Sequence, residues 1–167
     1  MMMLRRCLVL AALLFWHGGA TFYAGVVIPV GLATLHPPEL QTFVTRTVTL
    51  VLNLTGAPAL VLFAWDASAS RDPRPARRRA RWLAWAGMLL TLLVLAWLHN
   101  RLDEWMDVGS LRILDHDAPR PLHRLYVGIS ALQWACGTAY TFLTVYAWRA
   151  EDVVSALSSE PSSTKAH

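Results

Sequence analysis

The side chains able to do chemistry in this chain stand inside or beside long apolar runs. His17, Asn53 and Thr91 fall nine to eleven residues from one end of such a run and Gln133 falls ten from His123, about 15 Å by helical rise. A polar group at that depth in a bilayer is costly and turns toward a bundle interior or a water-filled cavity. The four together predict a midplane polar cluster with His17 as its titratable member. Histidine carries a proton or binds metal near neutral pH. The cluster therefore reads either as a small functional site or as interhelical hydrogen bonds that fix packing. Thr91 belongs to the second reading, since threonine bonds its own backbone.

A second set lies at the other ends of the runs. His36, His99 and His123 stand near Asp103, Glu104, Asp115 and Asp117, with His116 among them. Imidazole with carboxylate suits zinc or copper, or supplies a haem ligand. No HxxxH, HExxH or CxxC spacing accompanies these residues. His36, His99 and His123 are metal candidates by residue type alone, and no cofactor is expected. Cys7 and Cys136 sit at different depths, which argues against a disulfide. No catalytic motif is present, and a non-enzymatic role is expected.

The elements that must position these residues follow from composition. The chain has 167 residues, 55% of them hydrophobic and only 16% charged, with mean hydropathy +0.38. Soluble domains carry roughly a quarter charged residues, so a membrane protein is indicated. Four apolar runs, Cys7–Leu35, Thr42–Trp65, Trp82–His99 and Leu125–Trp148, are each long enough to cross a core of about 30 Å. Lipid requires such spans to be helical. The fold class predicted is an all-α, four-helix integral membrane bundle occupying 1–152, with 153–167 a disordered cytoplasmic tail. Apolar character continues unbroken past Gly18-Gly19-Ala20, which favours an uncleaved first helix over a signal peptide.

Ten of the fifteen basic residues fall on one side of the four runs, including Arg71, Arg74, Arg77, Arg78, Arg79 and Arg81 between runs two and three. The positive-inside rule makes that side cytoplasmic and places both termini there, in an inner membrane. Trp65, Trp82, Trp85 and Trp148 supply an aromatic belt at the same level. The six-arginine loop, broken by Pro73 and Pro75, reads as a lipid-facing anchor to anionic headgroups. Net charge +4 does not indicate nucleic-acid binding, because the arginines lack a folded basic surface or interleaved exposed aromatics. The Arg- and Ala-rich, Lys-poor composition suggests a high-GC bacterial genome.

Finer expectations concern single residues. Arg46, about 6 Å inside its run, can snorkel outward or pair with an external acid, and snorkelling is the one expected. Arg101–Val108 is expected as a short surface helix. Gly18 and Gly25, one heptad apart, are expected on a close-packed face, and Pro29 is expected to bend the first helix. In the fourth run, His123, Ser130, Gln133, Gly137, Thr141 and Thr144 form a stripe expected to face the bundle. The runs contain no acidic residue, which argues against a carboxylate proton relay.

The stretch Phe15-Trp-His-Gly-Gly-Ala-Thr-Phe-Tyr-Ala-Gly-Val-Val-Ile-Pro-Val-Gly31 resembles the first helix of the TMEM205-like group of small four-span membrane proteins. Thr45-Arg-Thr-Val-Thr-Leu-Val-Leu-Asn53 and His123-Arg-Leu-Tyr126 are similar to further segments of that group. The resemblance covers helices one, two and four, and implies a four-helix membrane fold with no agreed chemistry. A fainter likeness is to small haem-associated or copper-resistance membrane proteins. The leading expectation is a structural or accessory membrane protein whose partners are lipid, with a homo-oligomer or membrane complex open. The alternatives are a haem- or metal-binding redox protein and a transporter or channel subunit.

Overall fold

The computed structural model describes residues 2–36, 39–107, 112–113 and 120–159. Four long helices account for nearly all of them: α1 Met2–Thr34, α2 Glu39–Ala69, α3 Pro75–Asp103 and α4 Arg120–Ser159. A two-residue ribbon, β1 Met106–Asp107 paired antiparallel with β2 Arg112–Ile113, lies between α3 and α4. The architecture is all-α. Among the described residues α1, α2 and α3 are long and apolar enough to cross a membrane. Helix α4 is not among these three, its run being diluted by Ser130, Gln133, Thr138, Thr141 and Thr144.

Several boundaries move outward from the apolar runs. Helix α3 begins at Pro75, seven residues before Trp82, with that proline in its first turn, where a missing N–H costs nothing. Arginine and alanine are good helix formers, so the basic segment Ala76–Arg81 is helical. Helix α4 continues to Ser159, so the first seven residues of the expected disordered tail are helix, and 160–167 lie outside the described residues. The surface helix expected over Arg101–Val108 is replaced by the last turn of α3 and by strand β1; Val108 lies outside the described residues.

Helix α1 is not uniformly wound. Leu13–Gly18 and Tyr23–Val27 are π-helical, and regular helix resumes at Ile28–Thr34 with Pro29 in its first turn. Proline cannot donate to the carbonyl one turn before it. The wider winding immediately upstream accommodates that lost bond without ending the helix.

Successive helices run antiparallel, and the core occupies the half of the bundle nearest the α2–α3 turn. Val9, Leu13 and Trp16 of α1 meet Ala59, Leu60 and Phe63 of α2, Met88 and Leu92 of α3, and Tyr140 and Trp148 of α4. Phe63 is its centre. Its ring lies 6.1 Å from Trp16 and 5.0 Å from Tyr140, spacings at which aromatic pairs add about 0.5–1.5 kcal/mol. The outward faces are apolar: Leu14, Phe15 and Leu83 are each more than 70% exposed.

Small residues let the helices approach. A Cβ at Gly56 would stand 2.9 Å from the Trp16 indole, at Gly87 2.9 Å from Cys136 Sγ, and at Gly137 2.7 Å from His17 Nδ1. Gly25, expected on a close-packed face with Gly18, has open space where its side chain would be, and Gly18 meets only its own helix. The contrast is testable. Gly56→Ala should destabilise the detergent-solubilised protein by about 1–3 kcal/mol, because the buried Trp16 has nowhere to move. Gly25→Ala should be neutral or stabilise by up to about 1 kcal/mol. Equal thermal shifts in the two variants would contradict the packing described.

Candidate functional site

The densest assembly of charged groups lies at the arginine-rich end and draws on all four helices. Helix α2 runs on past Trp65, and one residue beyond it Asp66 points inward with no exposed surface. Its carboxylate meets Arg5 Nε of α1 at 2.9 Å and Arg81 Nη2 of α3 at 2.5 Å. Trp148 Nε1 of α4 donates to both oxygens, at 3.1 and 3.3 Å. One acid thus accepts hydrogen bonds from α3 and α4 and pairs by charge with Arg5 of α1, whose Nε is buried without a hydrogen-bond partner.

A second layer sits on the first. Arg5 Nη2 donates to Glu151 Oε2 at 2.8 Å, and Arg6 bridges Glu151 at 3.2 Å and Asp152 at 2.8 Å. Arg6 also donates to the Trp148 carbonyl. The other Glu151 oxygen accepts the Arg71 backbone N–H at 2.7 Å, which ties α4 to the α2–α3 turn. Arg81 lies 5.5 Å over the Tyr140 ring, whose hydroxyl donates 2.7 Å to the Phe63 carbonyl. Three guanidiniums (Arg5, Arg6, Arg81) face three carboxylates (Asp66, Glu151, Asp152), so the cluster is neutral in sum. Arg81 Nε and Nη1 are nonetheless buried without a hydrogen-bond partner.

The arginine segment is therefore not one uniform lipid-facing anchor. Arg81 is wholly buried, and Arg77 forms a bidentate pair with Asp72 at 2.6 Å on both oxygens. Arg71, Arg74, Arg78 and Arg79 are exposed. Asp72 also accepts the Arg74 N–H at 2.9 Å, an Asx-type turn that sets the chain for Pro75 to start α3. Burial opposes the charge on Asp72, but the Arg77 bond, the Arg74 N–H and the field of Arg77 and Arg81 outweigh it, holding the carboxyl below its usual range.

The four expected midplane residues do not bond to one another. His17 Nε2 lies 3.2 Å from Thr138 Oγ1, and its ring stacks on Trp134 at 5.8 Å. Asn53 Nδ2 donates to Tyr126 Oη at 3.3 Å. Thr91 bonds the Gly87 and Met88 carbonyls of its own helix. Gln133 Nε2 is buried without a partner. Thr138 lies five residues further along α4 than Gln133, so the His17 contact falls about 7 Å deeper toward the arginine-rich end. Polar pairs spread along the bundle replace a single shared site.

At the opposite end Arg46 does not snorkel. Its Nε and Nη2 each donate to Asp103 at 2.7 Å, joining α2 to α3. His99 is buried 3.7 Å from the same carboxylate, whereas His36 and His123 are exposed. The three metal candidates do not converge, and the described residues contain no group of three His, Cys, Asp or Glu side chains able to hold a metal. His116, Asp115 and Asp117 lie outside the described residues. Cys7 and Cys136 are free thiols.

Comparison with known proteins adds no relative. No family model, curated protein or solved structure matches the chain.

Sequence reasoning passed over Asp66, Asp72, Tyr126, Thr138, Tyr140 and Glu151. One signal was available: Asp66, Asp72, Glu151 and Asp152 are acids placed among the arginines, where a purely lipid-facing anchor would have no use for them.

Two outcomes follow. Arg81→Met and Asp66→Asn should each cost about 3–5 kcal/mol by stranding a buried charge. The double variant should cost clearly less than their sum, read from thermal melts; strict additivity would mean the pair is not coupled. Asp72 has a depressed carboxyl pKa in the fold, so its contribution is full above the unfolded carboxylate range, near 4. It is lost as pH falls through the lower, folded value. Asp72→Asn should flatten that acid-side fall in melting temperature, and an unchanged profile would show that the Arg77 pair contributes nothing.

Proposed function

We propose that this chain is an integral membrane protein of a bacterial inner membrane with a structural or accessory, non-enzymatic role, crossing four times with both termini cytoplasmic. The observation that carries the role is the six-charge cluster: its ionisable groups are committed to joining helices, with Asp66 ion-paired to α1 and α3 and hydrogen-bonded to α4. The apolar outward faces of α1, α2 and α3 support insertion. Helix α4 joins them in this reading because Ser130, Gln133, Gly137, Thr141 and Thr144 of its polar stripe are half-buried or buried, while Leu132, Trp134, Phe142 and Val145 face outward and His123 at its start is exposed. The exposed Arg71, Arg74, Arg78 and Arg79 support a cytoplasmic placement of that end, against anionic headgroups. The likeness of Phe15–Gly31, Thr45–Asn53 and His123–Tyr126 to TMEM205-like proteins belongs to the same proposal.

The test has two arms. Carbonate-washed membranes should retain the chain, and a reporter fused after residue 167 should behave as cytoplasmic; a periplasmic signal would refute the topology. Purified protein should absorb through tryptophan and tyrosine alone, before and after reductant. His17→Ala and Asn53→Ala should lower the melting temperature, by about 0.6 kcal/mol per lost bond, and leave that spectrum unchanged. A Soret band that shifts on reduction and vanishes in His17→Ala would replace the accessory reading with a redox one.

A further inference from the structure

The segment leading from α2 into α3 divides its arginines by what they bond. Arg77 is paired with Asp72, and Arg81 with Asp66. Between them Arg78 and Arg79 are exposed and form no ion pair with any described acid. These two line an open groove of about 630 Å³ with Trp82 and Leu83 of α3 and Ala67 and Ser68 of α2.

The groove is graded along its length. Residues 78, 79, 82 and 83 are one turn apart on a single face of α3. Two guanidiniums therefore give way to indole and isobutyl within about 5 Å. Leu83 is 73% exposed, a large apolar surface directly beside the charge. The apolar wall is preset: Trp82 packs edge-on to Trp85 at 5.4 Å, and Trp85 Nε1 is held by the Leu60 carbonyl at 2.9 Å. The Ser68 hydroxyl proton is already given to the Ala64 carbonyl, so binding of an anion falls to the two arginines. Guanidinium forks match phosphate oxygens in geometry and charge. A free anion would use only the cationic part and leave the indole and leucine wall bare.

We infer that this groove binds the phosphodiester headgroup of one anionic membrane phospholipid, with the glycerol and upper acyl carbons lying over Trp82 and Leu83. The inference rests on the membrane placement proposed above and adds a stoichiometric site to a general attraction of basic residues for the surface. Arg71 and Arg74, equally exposed but outside the groove lining, take no part in it.

The experiment is retention of phosphatidylglycerol by detergent-purified full-length protein, read by native mass spectrometry, with phosphatidylcholine as the neutral comparison. Wild type should keep one phosphatidylglycerol in preference to phosphatidylcholine. R78Q/R79Q should bind it about tenfold more weakly or worse, as expected for two basic contacts. R71Q/R74Q removes the same charge and should stay within about twofold of wild type. Millimolar inorganic phosphate should not displace the lipid. Equal loss in both double variants would overturn the site in favour of diffuse attraction, and displacement by phosphate would overturn it in favour of a small-anion site. Equal retention of phosphatidylcholine, or no retained lipid, would also overturn it. Carbonate extraction separates the two levels: a chain released from membranes defeats the membrane placement, whereas an embedded chain without bound phosphatidylglycerol defeats only the groove.

Discussion

A carboxylate with no exposed surface must be neutralised by groups that arrive with the fold, and Asp66 meets that requirement with one side-chain partner from each of the other helices: a guanidinium from α1, a guanidinium from α3 and an indole from α4. Its charge is balanced by Arg5 and Arg81 and its remaining lone-pair directions are taken by the Trp148 indole. Moving any one helix strands a buried ion, a change far costlier than loss of an apolar contact. The cluster thus fixes which helices are neighbours, their rotation about their own axes and their relative height. The aromatic core of Trp16, Phe63 and Tyr140 packs against this frame. Tyr140 joins the two, stacking on Phe63 with its ring and capping the Phe63 carbonyl with its hydroxyl.

The far end of the bundle is joined differently among the described residues. There Arg46 and Asp103 form one two-pronged bond, with both side chains about a quarter exposed and only α2 and α3 involved. Between the ends, isolated pairs such as His17–Thr138 and Asn53–Tyr126 join helices two at a time.

Helix positions were legible in the sequence because long apolar runs bounded by Pro37, Pro38, Pro73 and Pro75 leave little alternative. Helix ends were less so: apolar content stops at Trp65, while backbone hydrogen bonding continues to Ala69. The side-chain partners were largely illegible, for a physical reason. Helices apolar on every side carry no strong stripe to report their rotation, and Leu14, Phe15, Leu83 and Leu90 on the outside look no different in sequence from Leu13 and Leu95 within. Depth was readable by counting residues, and rotation was not. His17 and Gln133 were placed at similar depth, but nothing in their spacing told that one faces Thr138 and the other an unfilled position. Asp66 and Glu151 were hidden for a related reason, since they lie just past the apolar runs, where acids are ordinarily solvated.

The bonds from Arg5 and Arg6 to Trp148, Glu151 and Asp152 join residues more than 140 positions apart. During synthesis the first helix therefore emerges long before the groups that neutralise it, and Arg5 has only Asp66 to meet until α4 is nearly complete. Helix α4, made after α1, α2 and α3, is the one that closes the arginine-rich end. A chain halted before residue 151 therefore lacks both carboxylates that Arg6 bonds, and an unfinished molecule differs chemically from a finished one at that end.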